Sequence, residues 1–334
     1  MAPESQAACA VCGEPANNKC SACKSDTLSR QYCSKICQKK DWPTHKKACK
    51  DAQNANLERK LARVAEIVQQ AYYDFRENTW DLHLVKVDDG DDALVVYDGE
   101  VPERSHQFTT FPQHLFSNEQ TKHAVIYLQT TVQEVSLQLG SIPRKTITCY
   151  PEGELPKVNW PGYTHEAIRI TSTTTKKQWI MDISGAQYGI NKCLWTWQAY
   201  EHSHQADFQS IRPLGFNKHA LTTLGKIRGS PTITYGVIGQ VADFLAMTVN
   251  EWSTQTGMTL PQLIMLGRKE YESNASGLLK FMHNTVRTFI SANRFEKEWA
   301  AMVLYEDLYP GVSKSRYDRM MREMFSAGTF VDKE

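Results

Sequence analysis

Apolar positions first recur at helical spacing between residues 54 and 77. There Leu57, Leu61, Val64, Ile67, Val68, Ala71 and Tyr72 share one face, and Glu58, Arg59, Lys60 and Arg63 take the wet side. This pattern predicts a helix. Alternating runs at Leu82–Val87 and Ala93–Tyr97, joined by the acidic turn Asp88–Asp92 around Gly90, predict a β-hairpin. The acidic turn lacks a twelve-residue loop closing on a Glu, so it reads as a solvated turn and not a calcium loop. Glu119–Leu139 fits a helix through Ala124, Ile126, Tyr127, Leu128, Val132, Val135 and Leu139, against the weak helix formers Thr130 and Thr131. Pro143, Pro151, Pro156 and Pro161 make residues 140–162 a loop with one short strand at Lys145–Tyr150. Thr164–Thr171 and Lys177–Ile183 alternate again, joined by Ser172–Lys176, and read as paired strands. From about residue 235 helical stripes take over. Ile238, Val241, Ala242, Leu245 and Val249 form one stripe, and Leu278, Leu279, Met282, Val286, Phe289 and Ile290 another. Trp299–Leu308 and Arg316–Phe325 supply two more. The fold class of the body is α+β, with strands central and helices late.

At 334 residues the chain has room for a small module and one or two ordinary domains. Hydrophobic content of 41% and charged content of 22% are those of a globular protein, and 8 Trp, 14 Tyr and 12 Phe can furnish a core. No run of about 18 apolar residues stands out, which argues against a membrane span. Met1–Ala10 lacks the cationic start and apolar core of a secretory leader. A net charge of +1 argues against a general polyanion binder, and so against direct nucleic-acid binding. The charge is uneven, however: residues 1–60 hold eleven Lys and Arg against six Asp and Glu. That excess is either a solvated face or a basic surface for acidic proteins or nucleic acid.

The candidate chemistry is concentrated in the first 49 positions. Cys9-x2-Cys12, Cys20-x2-Cys23, Cys33-x3-Cys37 and His45-x3-Cys49 take seven of the 9 cysteines. Zinc binds four thiolate or imidazole ligands in a tetrahedron. A C-x2-C turn points two sulfurs at one ion, and ligands four apart on a helix share a face. Eight ligands suffice for two closed, structural sites. Seven cysteines plus a histidine fit a disulfide framework poorly. In the reducing compartment expected here, intracellular and either nuclear or cytoplasmic, such pairs read as metal sites.

The residues between the ligands carry a resemblance. Tyr32-Cys33-Ser34-Lys35-Ile36-Cys37-Gln38-Lys39-Lys40-Asp41-Trp42-Pro43-Thr44-His45-Lys46 resembles the signature of the MYND zinc finger, and residues 9–49 cover that family's length. The resemblance implies a cross-brace: Cys9, Cys12, Cys33 and Cys37 on one zinc, Cys20, Cys23, His45 and Cys49 on the other. The nine residues between Cys23 and Cys33 exceed the common gap and imply a longer surface loop. The chain looks like fungal proteins with an N-terminal MYND finger, whose finger grips short proline-containing peptides of partner proteins. That implies an adaptor or regulatory protein, with Gln38 and Trp42 as the expected peptide contacts. The expected organisation is a finger at 9–49, a connecting helix at 50–78 and an α+β domain at 79–334.

A second pattern lies between His165 and Gly189. With a loop symmetric about Thr173 and Thr174, His165 faces Asp182 across the predicted hairpin, at about 5 Å between Cβ atoms. The carboxylate can then hold the imidazole in one tautomer, as in the base half of a nucleophile system. The order His165, strand, Asp182-Ile183-Ser184-Gly185-Ala186-Gln187-Tyr188 resembles the cores of papain-like and transglutaminase-like cysteine enzymes over residues 145–205. That resemblance implies a cysteine ahead of the histidine at a helix N-terminus. Cys149 precedes His165 but lies in a strand-like run, and Cys193 follows Asp182. The pair is therefore expected to be structural, with no catalytic residues. The alternative is a cysteine hydrolase or acyl transferase using His165 and Asp182 with Cys149 or Cys193. His202-Ser203-His204 lacks a spaced third ligand and reads as a polar loop, and Gly225–Ser230 does not match a phosphate-binding loop. MYND fingers also occur in SET-domain methyltransferases, but Asn217-Lys218-His219-Ala220 does not match their cofactor motif.

Overall fold

The structure is a computed structural model that describes residues 7–23, 30–78, 84–98, 128–150, 155–162, 164–292 and 296–326. Contacts group the chain into two units, residues up to Ala62 with Thr174–Lys177, and Arg63–Thr173 with the remainder from Gln178.

In the first unit β1 (Asn18–Lys19) pairs antiparallel with β2 (Gln31–Tyr32). Helix α1 (Lys35–Asn78) follows and runs for 44 residues across the unit boundary. Ser34 starts it: Cys37 N–H donates to Ser34 Oγ at 3.3 Å, which satisfies one of the amides a helix N-terminus leaves open. The hydrophobic pattern placed the helix start near residue 54. The earlier turns turn Cys37, His45 and Cys49 inward in place of aliphatic residues, so their periodicity does not register as hydrophobic.

In the second unit the remaining turns of α1 bury Val64, Ile67, Val68 and Ala71 of the stripe expected from the sequence, together with Ala65 and Phe75, while Tyr72 is half-buried. Arg63 donates to the carbonyls of Ile264 and Leu266 at 2.8 and 2.7 Å and covers the Tyr271 ring. The expected hairpin is present as β3 (Leu84–Asp89) and β4 (Ala93–Asp98). β4 also pairs in parallel with β6 (Lys145–Cys149), the expected short strand, and β7 (Lys157–Val158) completes the four-stranded order β3-β4-β6-β7. A five-stranded antiparallel sheet holds the centre of the body. Its strands are β5 (Thr130–Leu139), β8 (His165–Ser172), β9 (Gln178–Met181), β10 (Leu194–Thr196) and β11 (Ala206–Pro213), in the order β10-β9-β8-β5-β11.

β5 corrects the helix expected over Glu119–Leu139. Residues 119–127 lie outside the described ones, but Thr130–Leu139 is a strand between β8 and β11. Glu134, Val135, Ser136 and Leu137 are buried in succession. A central strand covered on both faces loses its period-two signature, and Val132, Val135 and Leu139 then imitate helical spacing. Val135, Leu137, Leu139, Ala167, Ile180 and Ile190 centre the core of this sheet.

Helix α2 (Trp197–His204) precedes β11. It also corrects the polar loop expected at His202-Ser203-His204, which forms its last turn with His204 buried. Helix α3 (Phe216–Leu224) begins without a side-chain cap of its own. Glu134 of β5 supplies one: its carboxylate accepts from Gly215 N–H at 2.6 Å and from Asn217 N–H at 2.9 Å. The chain is then helical as expected, through α4 (Ile238–Thr256), α5 (Leu260–Met265), α6 (Arg268–Ser291), α7 (Glu296–Leu308) and α8 (Val312–Ser326). Val241, Leu245 and Val249 of α4 and Leu278, Met282 and Phe289 of α6 are buried, and Phe244 meets Phe289 at 5.3 Å between ring centroids. The segment Thr232–Thr256 reaches a mean hydropathy of 1.2, long and apolar enough by composition to cross a bilayer, where the sequence reading expected no such run. A core helix with a buried stripe meets the same measure. Fold class is α+β.

Candidate metal centre

The first 49 residues bring two sets of four donors together. Cys9, Cys12, Cys33 and Cys37 form one, Cys20, Cys23, His45 and Cys49 the other, with all donor atoms of a set within 4.8 Å of one another. Local geometry explains the pairing. The first and second pairs sit in the turns flanking β1, Cys33 lies in the bend just before α1, and Cys37, His45 and Cys49 stand on one face of α1. The antiparallel register Asn18↔Tyr32 brings these segments together.

The sulfur separations test the chemistry. Cys12 Sγ lies 3.5 Å from Cys33 Sγ, Cys33 Sγ 3.6 Å from Cys37 Sγ, and Cys37 Sγ 3.9 Å from Cys12 Sγ. In the other set Cys20 Sγ is 3.8 Å from Cys49 Sγ, and Cys23 Sγ 3.4 Å from His45 Nε2. A disulfide needs about 2.05 Å. A zinc tetrahedron with Zn–S near 2.3 Å has edges of about 3.8 Å. Both donor sets thus fit zinc, and the two clusters can hold two ions. Four protein ligands close each site, so no position is left for a reacting water.

The surroundings suit thiolates. The Cys33 backbone N–H pulls the Cys9 thiol down to about 6 against the effect of burial, with the Cys12 and Val11 amides adding to it. Burial first, then the crowding Cys20 and Cys49 thiols, push Cys23 up to about 12. A divalent cation reverses that repulsion by stabilising the deprotonated ligands. Gln53 donates to Cys49 Sγ at 3.3 Å.

Asp41 is a structural residue that the motif reading passed over. It is buried and accepts from Arg30 at 2.5 Å, Tyr32 at 2.8 Å and Thr44 at 2.8 Å. Burial acts to raise its pKa, but the hydrogen bonds from Tyr32, Thr44 and Arg30 outweigh that and hold it below the usual carboxylate range. The signal was present in the spacing: Cys37, Asp41, His45 and Cys49 recur every four residues on one face of α1. Trp42 is 40% exposed, with its ring edge-on to His45 at 6.2 Å. Gln38 lies one turn earlier, half-buried.

In the body, His165 and Asp182 do meet. His165 Nε2 lies 2.9 Å from Asp182 Oδ1, without the alignment of a hydrogen bond. The register differs from a loop symmetric about Thr173 and Thr174. Ile168 pairs with Met181, and one further step places Asp182 across from Ala167, diagonal to His165. A shift of two residues keeps both on the same face, so the pair survives it. Asp182 Oδ2 accepts from Tyr200 at 2.9 Å, and Asp182 N–H donates to the Cys193 carbonyl at 2.9 Å. Gly185 is needed here, because a Cβ on it would lie 2.5 Å from Asp182 Oδ2. Tyr188 packs edge-on against the His165 ring at 5.0 Å. Cys149 sits on β6, in the four-stranded sheet. Burial pushes the Cys193 thiol up to about 11. Among the described residues neither nitrogen of His165 has a hydrogen-bonded partner, thiol or otherwise.

Compared with known families, residues 9–49 match the MYND finger. The chain is 52% identical over 42 residues to Dauer abnormal formation protein 25 of Caenorhabditis elegans, which covers 12% of this chain and 10% of that protein. The chain therefore matches a tenth of that relative's length. No solved structure matches. With the family match and two interleaved zinc-type donor sets in the same segment, residues 9–49 are a MYND zinc finger, a zinc-binding protein-interaction domain.

Proposed function

We propose that this chain is an adaptor or regulatory protein whose MYND finger grips short proline-containing peptides of its partners. The observation that supports this most directly is Trp42, an aromatic side chain 40% exposed on a helix whose other face is committed to metal ligands. A proline-containing segment is already extended and loses little entropy on docking, and an aromatic edge is its usual platform. Gln38, one turn away, offers both a donor and an acceptor to the peptide backbone. The organisation proposed is a finger at 9–49, a connecting helix at 50–78 and an α+β domain at 79–334, the last acting as scaffold with His165 and Asp182 paired structurally. The thiol-rich finger suits a reducing, intracellular compartment, nuclear or cytoplasmic.

The test is Trp42→Ala in the zinc-loaded chain, with zinc content and binding of a proline-containing peptide library read on the same sample. Loss of a central aromatic anchor is expected to weaken binding by about 2 kcal/mol with zinc retained. Unchanged binding, or loss of zinc together with binding, would remove Trp42 from the contact surface.

A further inference from the structure

The exposed face of the finger helix carries a charge pattern that the anchoring of a proline segment does not use. Lys35, Lys39, Lys40, Lys46, Lys47 and Lys50 are all exposed. With 3.6 residues per turn they fall, together with Ile36 and Pro43, on the side of α1 opposite Cys37, Asp41 and His45, and Trp42 stands at the border. At 1.5 Å per residue this face runs for roughly 22 Å. Asp41, the acidic residue within this stretch, is buried and paired with Arg30 at 2.5 Å. Among the described residues none of the six lysines is in an ion pair. Lys35 with Lys39, and Lys46 with Lys50, are like charges four apart, an arrangement that weakens a helix. The finger therefore gains no stability from this face. Ile36, 79% exposed, adds an aliphatic side chain among the charges.

We infer that this face docks acidic residues flanking the proline-containing core, so that the finger's partner is an acidic peptide. The inference rests on the peptide-binding reading above and adds the partner's charge to it. Six uncompensated cations attract a segment rich in Asp and Glu and steer its approach. Ile36 favours a peptide over a nucleic acid, because an aliphatic contact in the middle of the face has a counterpart in a side chain and none in a phosphate backbone.

The experiment uses the full chain loaded with zinc and three labelled peptides: one neutral proline-containing core, the same core flanked by glutamates, and the same core flanked by lysines. Fluorescence anisotropy is read at low and at physiological salt. The glutamate-flanked peptide is expected to bind roughly tenfold tighter than the neutral one at low salt, with the advantage shrinking as salt screens it. Lys39→Glu with Lys47→Glu should remove that advantage and leave zinc content and neutral-core binding unchanged. Lys39→Ala with Lys47→Ala serves the same purpose should charge reversal unfold the finger. Equal binding of all three peptides would overturn this inference and leave the peptide-binding reading standing. Binding of none would overturn both. Displacement of the acidic peptide by single-stranded DNA of equal charge at lower concentration would assign the face to nucleic acid and overturn the inference as well.

Discussion

His165 Nε2 stands 2.9 Å from Asp182 Oδ1 in a site where neither side chain is more than 1% exposed. The arrangement has the base and orienting carboxylate of a cysteine enzyme, but among the described residues no thiol is engaged by the imidazole. The expected outcome is that Cys149 and Cys193 label slowly with a thiol-directed electrophile at neutral pH, in zinc-loaded protein whose finger cysteines are protected. Cys193, pushed up to about 11 by burial, should react more slowly than a free thiol near 8.5. His165→Ala should leave both rates unchanged. Rapid labelling of either cysteine that disappears in folded His165→Ala would turn the body into an active cysteine enzyme.

Zinc content is the second measurement. The finger should carry about two zinc ions per chain by its two complete donor sets. Each closed site contributes folding energy on the order of 10 kcal/mol, so a chelator or Cys33→Ala is expected to unfold the finger. The body has its own buried core around β5 and should remain folded. A single melting transition for finger and body together would contradict this.

The cap that Glu134 provides for α3 supplies a third test. Glu134→Ala leaves the Gly215 and Asn217 N–H groups without their acceptors. The expected loss is about 2–3 kcal/mol in urea unfolding of the body. Glu134→Gln keeps one acceptor and should recover roughly half of it. A change within a few tenths of a kcal/mol for Glu134→Ala would show that water replaces the cap.

Stability of the body should fall on mild acidification, through His204. Burial pushes this imidazole down, outweighing the attraction of Asp182 and the Ser141 backbone, and the nearby His165 adds to the depression. The ring is buried and lies edge-on to Tyr200 at 4.8 Å and to Trp195 at 5.2 Å. In the unfolded chain a histidine takes its proton near pH 6.5. Below that pH the unfolded state binds a proton that the folded state refuses, so stability present above about 6.5 is lost as pH falls, by up to about 1.4 kcal/mol per pH unit. Urea unfolding between pH 5 and 7 should show this slope, and His204→Phe should reduce it. An unaltered slope in that variant would place the acid sensitivity elsewhere.

The eight zinc ligands were legible because metal chemistry is local: paired ligands lie three or four residues apart, and the segment between them carries the MYND signature. The hairpin at β3 and β4, the late helices and the α+β class were legible for a similar reason, since each rests on period and turn chemistry within a short window. Four features were decided only by the tertiary structure. Thr130–Leu139 became an interior strand of a sheet, paired on its two edges with β8 and β11, and the burial of Glu134 to Leu137 in succession covers both its faces and removes the alternation by which a strand is recognised. β4 chose β6 as a parallel partner, a pairing between distant segments that local pattern does not encode. Asp182 settled diagonal to His165 because the strand register, and not the symmetry of the loop, sets who stands opposite whom. Glu134 and Tyr200 found their roles only by proximity, Glu134 as the cap of a helix more than 80 residues away and Tyr200 as the donor to Asp182. Neither role has a sequence signature, because burial makes an unpaired polar group costly and leaves the choice of partner to whichever chain segment packs beside it.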